Sequence, residues 1–212
     1  LHAAGPQWPA PPQEARLTYL FSHDGRLATS PSGRLGKVMR ILLGISRTWT
    51  GSARRLVHPT GLFARGPLLY AADPTAKAVF RYDENKREIT WLPKGRKLRL
   101  QSPVAVAQVS DGRVFIADSV LGEVFILDAK GHPAGHFAAE KGVLGRPVGL
   151  ALSEELVYVT DSLKHRIAVF DQQGAFRRFI WRRGAALVEL NFPTYAWYDP
   201  RTRELWVCDS GN

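Results

Sequence analysis

Few residues in this chain have the types and spacing that catalysis requires. His132 and His136 stand four apart, in a stretch that reads as a strand. That spacing on a strand separates their side chains by roughly 13 Å, too far for one metal ion. His165 and the aspartates Asp73, Asp118, Asp161 and Asp209 belong to a pattern that recurs along the chain. A catalytic group need occur only once, whereas a structural one must recur with each unit. The four aspartates are therefore read as anchors of turns and strand ends, their carboxylates accepting bonds from nearby backbone amides. Cys208 lies in the apolar run Leu205-Trp206-Val207-Cys208. A lone cysteine without a matched histidine and acid reads as a buried thiol. Gly-x-Ser-x-Gly, His-Glu-x-x-His and phosphate-loop motifs are absent. These residues call for no metal and no cofactor, and the expectation is that the chain is not an enzyme.

The residues that stand out for binding are cations. One cluster is Lys94, Arg96, Lys97 and Arg99; the other is Arg177, Arg178, Arg182 and Arg183. Trp91 and Trp181 adjoin them. The formal net charge is +10, and the excess lies in the first half of the chain. Such a field attracts an acidic protein, nucleic acid or an anionic membrane surface. Aromatic rings beside cations are what base stacking uses, so nucleic acid stays open as a partner. With 212 residues, 45% of them hydrophobic, the chain has enough apolar material for one sizeable domain. No apolar run approaches the ~18 residues of a membrane-spanning helix.

The elements that must position these groups repeat. Pro59, Pro103, Pro147 and Pro193 recur at roughly 44-residue intervals, the period of a small supersecondary unit. Each proline precedes a strand, and each strand is followed by a second that ends in aspartate: Tyr70-Ala71-Ala72-Asp73, Phe115-Ile116-Ala117-Asp118, Tyr158-Val159-Thr160-Asp161 and Trp206-Val207-Cys208-Asp209. A third strand follows over 78–82, 124–127 and 167–170. Asp128-Ala129-Lys130-Gly131 and Asp171-Gln172-Gln173-Gly174 then read as turns with glycine in the left-handed position. A more variable outer strand comes next, such as 175–181. Two of the four prolines open Pro-x-Gly, at Gly61 and Gly149, where glycine permits close backbone approach; Ala105 and Tyr195 take that place in the other copies. Four short antiparallel strands per repeat predict an all-β chain built as a β-propeller of four-stranded blades.

The string Val157-Tyr158-Val159-Thr160-Asp161-Ser162-Leu163-Lys164-His165-Arg166-Ile167-Ala168-Val169-Phe170-Asp171 resembles the NHL-repeat family of six-bladed propellers. Asp209-Ser210-Gly211-Asn212 looks like the same motif begun again. The first two copies depart at the histidine, with Thr75-Ala76-Lys77-Ala78 and Ser119-Val120-Leu121-Gly122-Glu123. The resemblance covers 58–212 as three complete blades and one partial. It implies a six-bladed ring, which at this period needs roughly 260 residues. The chain is therefore expected to be an incomplete part of such a ring.

Ahead of the blades, residues 1–14 form a Pro-rich linker with Pro6, Pro9, Pro11 and Pro12. Residues 15–57 read as a strand over 15–21 and a short basic amphipathic helix with Leu35, Val38, Met39, Leu42 and Ile45 on one stripe. This layout is similar to envelope-associated bacterial members of the family. The implied function is a protein-binding scaffold or accessory subunit. It would dock an acidic partner within a larger complex in the periplasm or cell envelope, with peripheral membrane contact through the N-terminal segment. Two alternatives stay open: an RNA-binding NHL domain, and a propeller lyase or hydrolase whose channel metal would take ligands from further blades.

Overall fold

A computed structural model describes residues 7–8, 17–18, 56–138, 143–186 and 189–212. The basic helix expected after Ser30 lies outside them. In the Pro-rich stretch, β1 (Gln7–Trp8) forms and pairs antiparallel with β2 (Leu17–Thr18), which lies beyond it. Everything else described is sheet, turn and connection. Among the described residues no helix is long and apolar enough to cross a membrane.

Three four-stranded antiparallel sheets follow in sequence. The first blade is β3 (Gly61–Arg65), β4 (Leu68–Asp73), β5 (Ala78–Asp83) and β6 (Glu88–Leu92). The second is β7 (Pro103–Gln108), β8 (Val114–Asp118), β9 (Glu123–Leu127) and β10 (Pro133–Phe137). The third is β11 (Pro147–Leu152), β12 (Leu156–Asp161), β13 (Arg166–Asp171) and β14 (Phe176–Ile180). Strands pair strictly in chain order within each sheet. A parallel two-residue ladder, β15 (Arg182–Arg183) with β16 (Glu189–Leu190), leads into the hairpin of β17 (Pro193–Asp199) and β18 (Glu204–Asp209). The chain is an arc of β-propeller blades.

Alternation along the strands gives every blade two apolar faces, and successive blades stack through them. Tyr70, Ala72, Val79 and Leu92 of the first blade pack against Val106, Val114, Ile116 and Phe125 of the second. The opposite face of the second, with Ala105, Ala107, Phe115 and Ala117, packs against Leu150, Val157, Val159 and Phe170 of the third. Closeness at the axis depends on small residues where each innermost strand begins. A Cβ added to Gly61 would run into the Val104 carbonyl oxygen, and one added to Gly149 would lie 3.0 Å from the Thr194 oxygen. Ala105 fills the same place in the second blade and is 2% exposed.

The fourth unit differs. Tyr195 stands where the others have Gly or Ala, and its hydroxyl accepts from the Leu62 amide at 3.1 Å and donates to the Leu62 carbonyl at 3.3 Å. Pairing Tyr195 with Cys208 and Trp197 with Trp206 puts these side chains on one face of the hairpin. That is the face which, in the first two blades, the next blade covers. Trp197 is 55% and Trp206 60% exposed. Cys208 is exposed too, which corrects the expectation of a buried thiol. Its strand is apolar, as a blade strand must be, but among the described residues no sheet lies against that face.

Replacing Gly61 by Val should destabilise the chain by about 1–3 kcal/mol, because the new side chain meets backbone rather than a yielding side chain. Urea unfolding monitored by circular dichroism measures this directly. An unchanged midpoint would show that the innermost strands of blades one and two are not in close contact.

Candidate functional site

The connections between blades carry the groups with something to do. Each leaves an outer strand, runs inward across one end of the blades, and enters the next innermost strand. The turn between the second and third strands of each blade lies at the same end. There the buried Asp73, Asp118 and Asp161 join turn to connection. Asp73 accepts from the amides of Val57, His58 and Ala76. Asp118 accepts from Gln101 at 2.7 Å, Ser102 at 3.0 Å, and Val120 and Leu121 at 3.1 Å. Asp161 accepts from Gly145, Arg146 and Lys164. The half-buried Asp209 takes the Asn191 amide on both oxygens and the Asn212 side chain at 2.7 Å.

Four residues beyond the first three aspartates, each turn holds a residue with left-handed backbone: Lys77 (φ 51), Gly122 (φ 71) and His165 (φ 53). This slot faces the next blade's incoming connection. His165 is buried; its Nδ1 accepts from the Phe192 amide at 3.1 Å, and its ring lies 4.4 Å from that of Phe192. Lys77 instead donates from Nζ to Gln101 Oε1 at 3.0 Å. Beside it opens a cavity of about 450 Å³, lined by Lys77, Leu92, Arg96, Leu98, Arg99 and Gln101 among others.

The first basic cluster is on this connection, between β6 and β7. Lys94 donates its amide to the Gly131 carbonyl at 2.7 Å, while the Gln101 and Ser102 amides are held by Asp118. The connection is thus pinned to the second blade at both ends. Arg96, Lys97 and Arg99 are exposed, and none of these four cations forms an ion pair among the described residues. The second cluster is partly neutralised: Arg177 pairs with Asp171 at 2.8 Å and Arg182 with Glu189 at 3.1 Å. It lies on β14 and β15, so the second blade stands between the two clusters. Trp91 is half-buried with its ring edge-on to Phe80, centroids 5.8 Å apart. It is held in the sheet rather than offered as a stacking platform.

His132 and His136 are engaged separately, His132 Nδ1 3.6 Å from Asp128 and His136 Nδ1 2.8 Å from Glu123. No group of three or more His, Cys, Asp or Glu among the described residues is placed to hold a metal ion. A second cavity of about 450 Å³ lies where the innermost strands end, lined by Phe63, Arg65, Gln108, Leu152, Glu154 and Tyr198 among others. In the second blade the turns after β7 and β9 lower the pKa of their carboxylates. The His132 amide, first among its donors, keeps Asp128 below the ordinary carboxylate range, and the Arg113 amide does the same for Asp111.

No known protein-family pattern and no curated protein sequence matches the chain. Solved structures do. Virginiamycin B lyase from Staphylococcus aureus superposes with a TM-score of 0.57 at 14% identity, over 72% of this chain and 49% of that one. Kuenenia stuttgartiensis hydrazine synthase gives 0.57 at 18%, over 76% and 44%. A nidogen/laminin complex gives 0.58 at 19%, over 74% and 61%. At these identities the likeness is one of fold, and all three are β-propeller proteins. The chain spans about half the length of the lyase it matches. Because the fold is shared with a lyase, the expectation that the chain is not an enzyme is withdrawn: the missing motifs do not separate it from propellers that catalyse.

Two outcomes test the carboxylates. Asp118→Ala removes the acceptor of four amides and should cost about 3 kcal/mol or more, read by chemical unfolding; a loss below ~1 kcal/mol would mean that water replaces it. Asp128 has a folded pKa below its unfolded one, so its contribution is present above the unfolded value near 3.9 and fades as pH falls through the folded one. Asp128→Asn should therefore flatten the acid limb of stability against pH and leave its neutral region parallel to wild type.

Proposed function

We propose that this chain is part of an NHL-type β-propeller platform that docks an acidic protein partner in the cell envelope. The observation that carries the reading is the connection between β6 and β7. Four cations stand on a segment fixed at both ends, with no carboxylate paired to any of them among the described residues. Surface cations without internal partners are available to an incoming anionic surface, and they accelerate its encounter through long-range attraction. Because the segment is already ordered, little conformational freedom is lost on binding.

The NHL assignment rests on the Asp161 to Asp171 string and its partial copies. The envelope assignment rests on the Pro-rich start and the basic segment after it. That one propeller of this fold is found in a nidogen/laminin complex supports a protein partner in general terms. RNA is the less favoured partner, since Trp91 is committed to Phe80 and the second cluster has two of its four cations paired.

Affinity capture from envelope extracts tests the reading. The wild-type chain is compared with a variant carrying Lys94→Glu, Arg96→Glu, Lys97→Glu and Arg99→Glu. The expected result is an acidic protein retained by wild type, lost from the variant, and released by raising salt well above ~0.15 M. Equal retention by both proteins, or RNA as the only retained species, overturns it.

A further inference from the structure

The cavity beside Lys77 opens where the β6–β7 connection passes the turn that carries Lys77. Between the third and fourth units the residue in the same left-handed slot is covered: Phe192 lies against His165, and the Phe192 amide occupies its Nδ1. At the matching place between the first and second units the connection carries Ser102, directly before Pro103, and Lys77 replaces the histidine. No aromatic ring lines the cavity beside Lys77, and about 450 Å³ remains open.

The lining is chemically one-sided. Lys77, Arg96 and Arg99 supply positive charge, and the side-chain oxygen of Gln101 is taken by Lys77 Nζ. No carboxylate lines the cavity. Its remaining wall is aliphatic: Leu92 and Leu100 are buried, with Leu98 and Pro93 half-buried beside them. Cations around an apolar wall fit a ligand that brings an anionic group and an aliphatic group close together.

We infer that this cavity is the point at which the partner is gripped, and that it takes an extended peptide segment in which a Glu or Asp side chain neighbours a Leu-like one. The inference rests on the reading of the chain as a platform for an acidic protein. The carboxylate bonds to Lys77, Arg96 and Arg99, the two guanidinium groups being suited by their planar fork to a carboxylate. The aliphatic side chain covers Leu98 and Pro93. A nucleic acid would satisfy the cations and leave that wall wet.

Fluorescence anisotropy with labelled synthetic peptides tests this on the full chain. One peptide alternates Glu and Leu, a second Glu and Gly, a third Gln and Leu; a single-stranded RNA of equal length is the fourth probe. The Glu–Leu peptide should bind best, with each of the others weaker by about tenfold, near 1.4 kcal/mol. Lys77→Asn keeps a residue that accepts left-handed backbone, so it removes the charge without straining the turn. It and Arg99→Gln should each weaken Glu–Leu binding about tenfold, while Arg182→Gln with Arg183→Gln leaves it within about twofold. If the last pair abolishes binding and Lys77→Asn does not, the cavity is wrong though an acidic partner stands. Equal affinity for the Glu–Gly peptide removes the aliphatic half of the site. RNA bound more tightly than any peptide overturns the cavity and the platform reading together.

Discussion

The structure depends on a carboxylate satisfied by amides. At the end of the second strand in each unit, an aspartate collects amides from two stretches far apart in sequence: its own turn, and the segment that leads into its innermost strand. Asp118, for instance, takes Val120 and Leu121 from one side and Gln101 and Ser102 from the other. A carboxyl oxygen surrounded by N–H donors has its hydrogen-bonding capacity met by the backbone. Through this bond the end of one blade is fixed to the start of its innermost strand. The connections are thereby held still, and the cations on them with it.

Packing supplies the other constraint. Each blade is apolar on both sides, so stability accumulates between neighbours as in other repeat architectures. The small residues at Gly61, Ala105 and Gly149 let the innermost strands meet. Tyr195 breaks that rule and spans from the fourth unit to the backbone of Leu62 instead. A hydroxyl that both donates and accepts substitutes here for direct strand-to-strand contact.

The fold was legible because its two signals reinforce each other. Period-2 alternation marked strands, and the recurrence of Pro and Asp at a shared interval marked the unit. The turn glycines Gly131 (φ 93) and Gly174 (φ 92) have the left-handed backbone expected of them. Cys208 was misread because local composition reports what a strand is made of, and burial depends on what lies across from it. The catalytic question was misjudged for a related reason: short motifs are local, whereas a propeller site gathers residues from several blades. Lys77 carried no motif of its own. Its signal was positional, since it sits where His165 sits in the third unit, and only the shared left-handed slot reveals that both reach toward the next connection.

The open face of the β17–β18 hairpin has a spectroscopic consequence. Trp197 and Trp206 are mostly in water, whereas Trp91 is packed against Phe80. Indoles in water emit at longer wavelength than indoles in an apolar setting. The chain therefore carries its own gauge of whether that face is sheltered: its emission would move to the blue as any surface closed over the two rings, with no label attached.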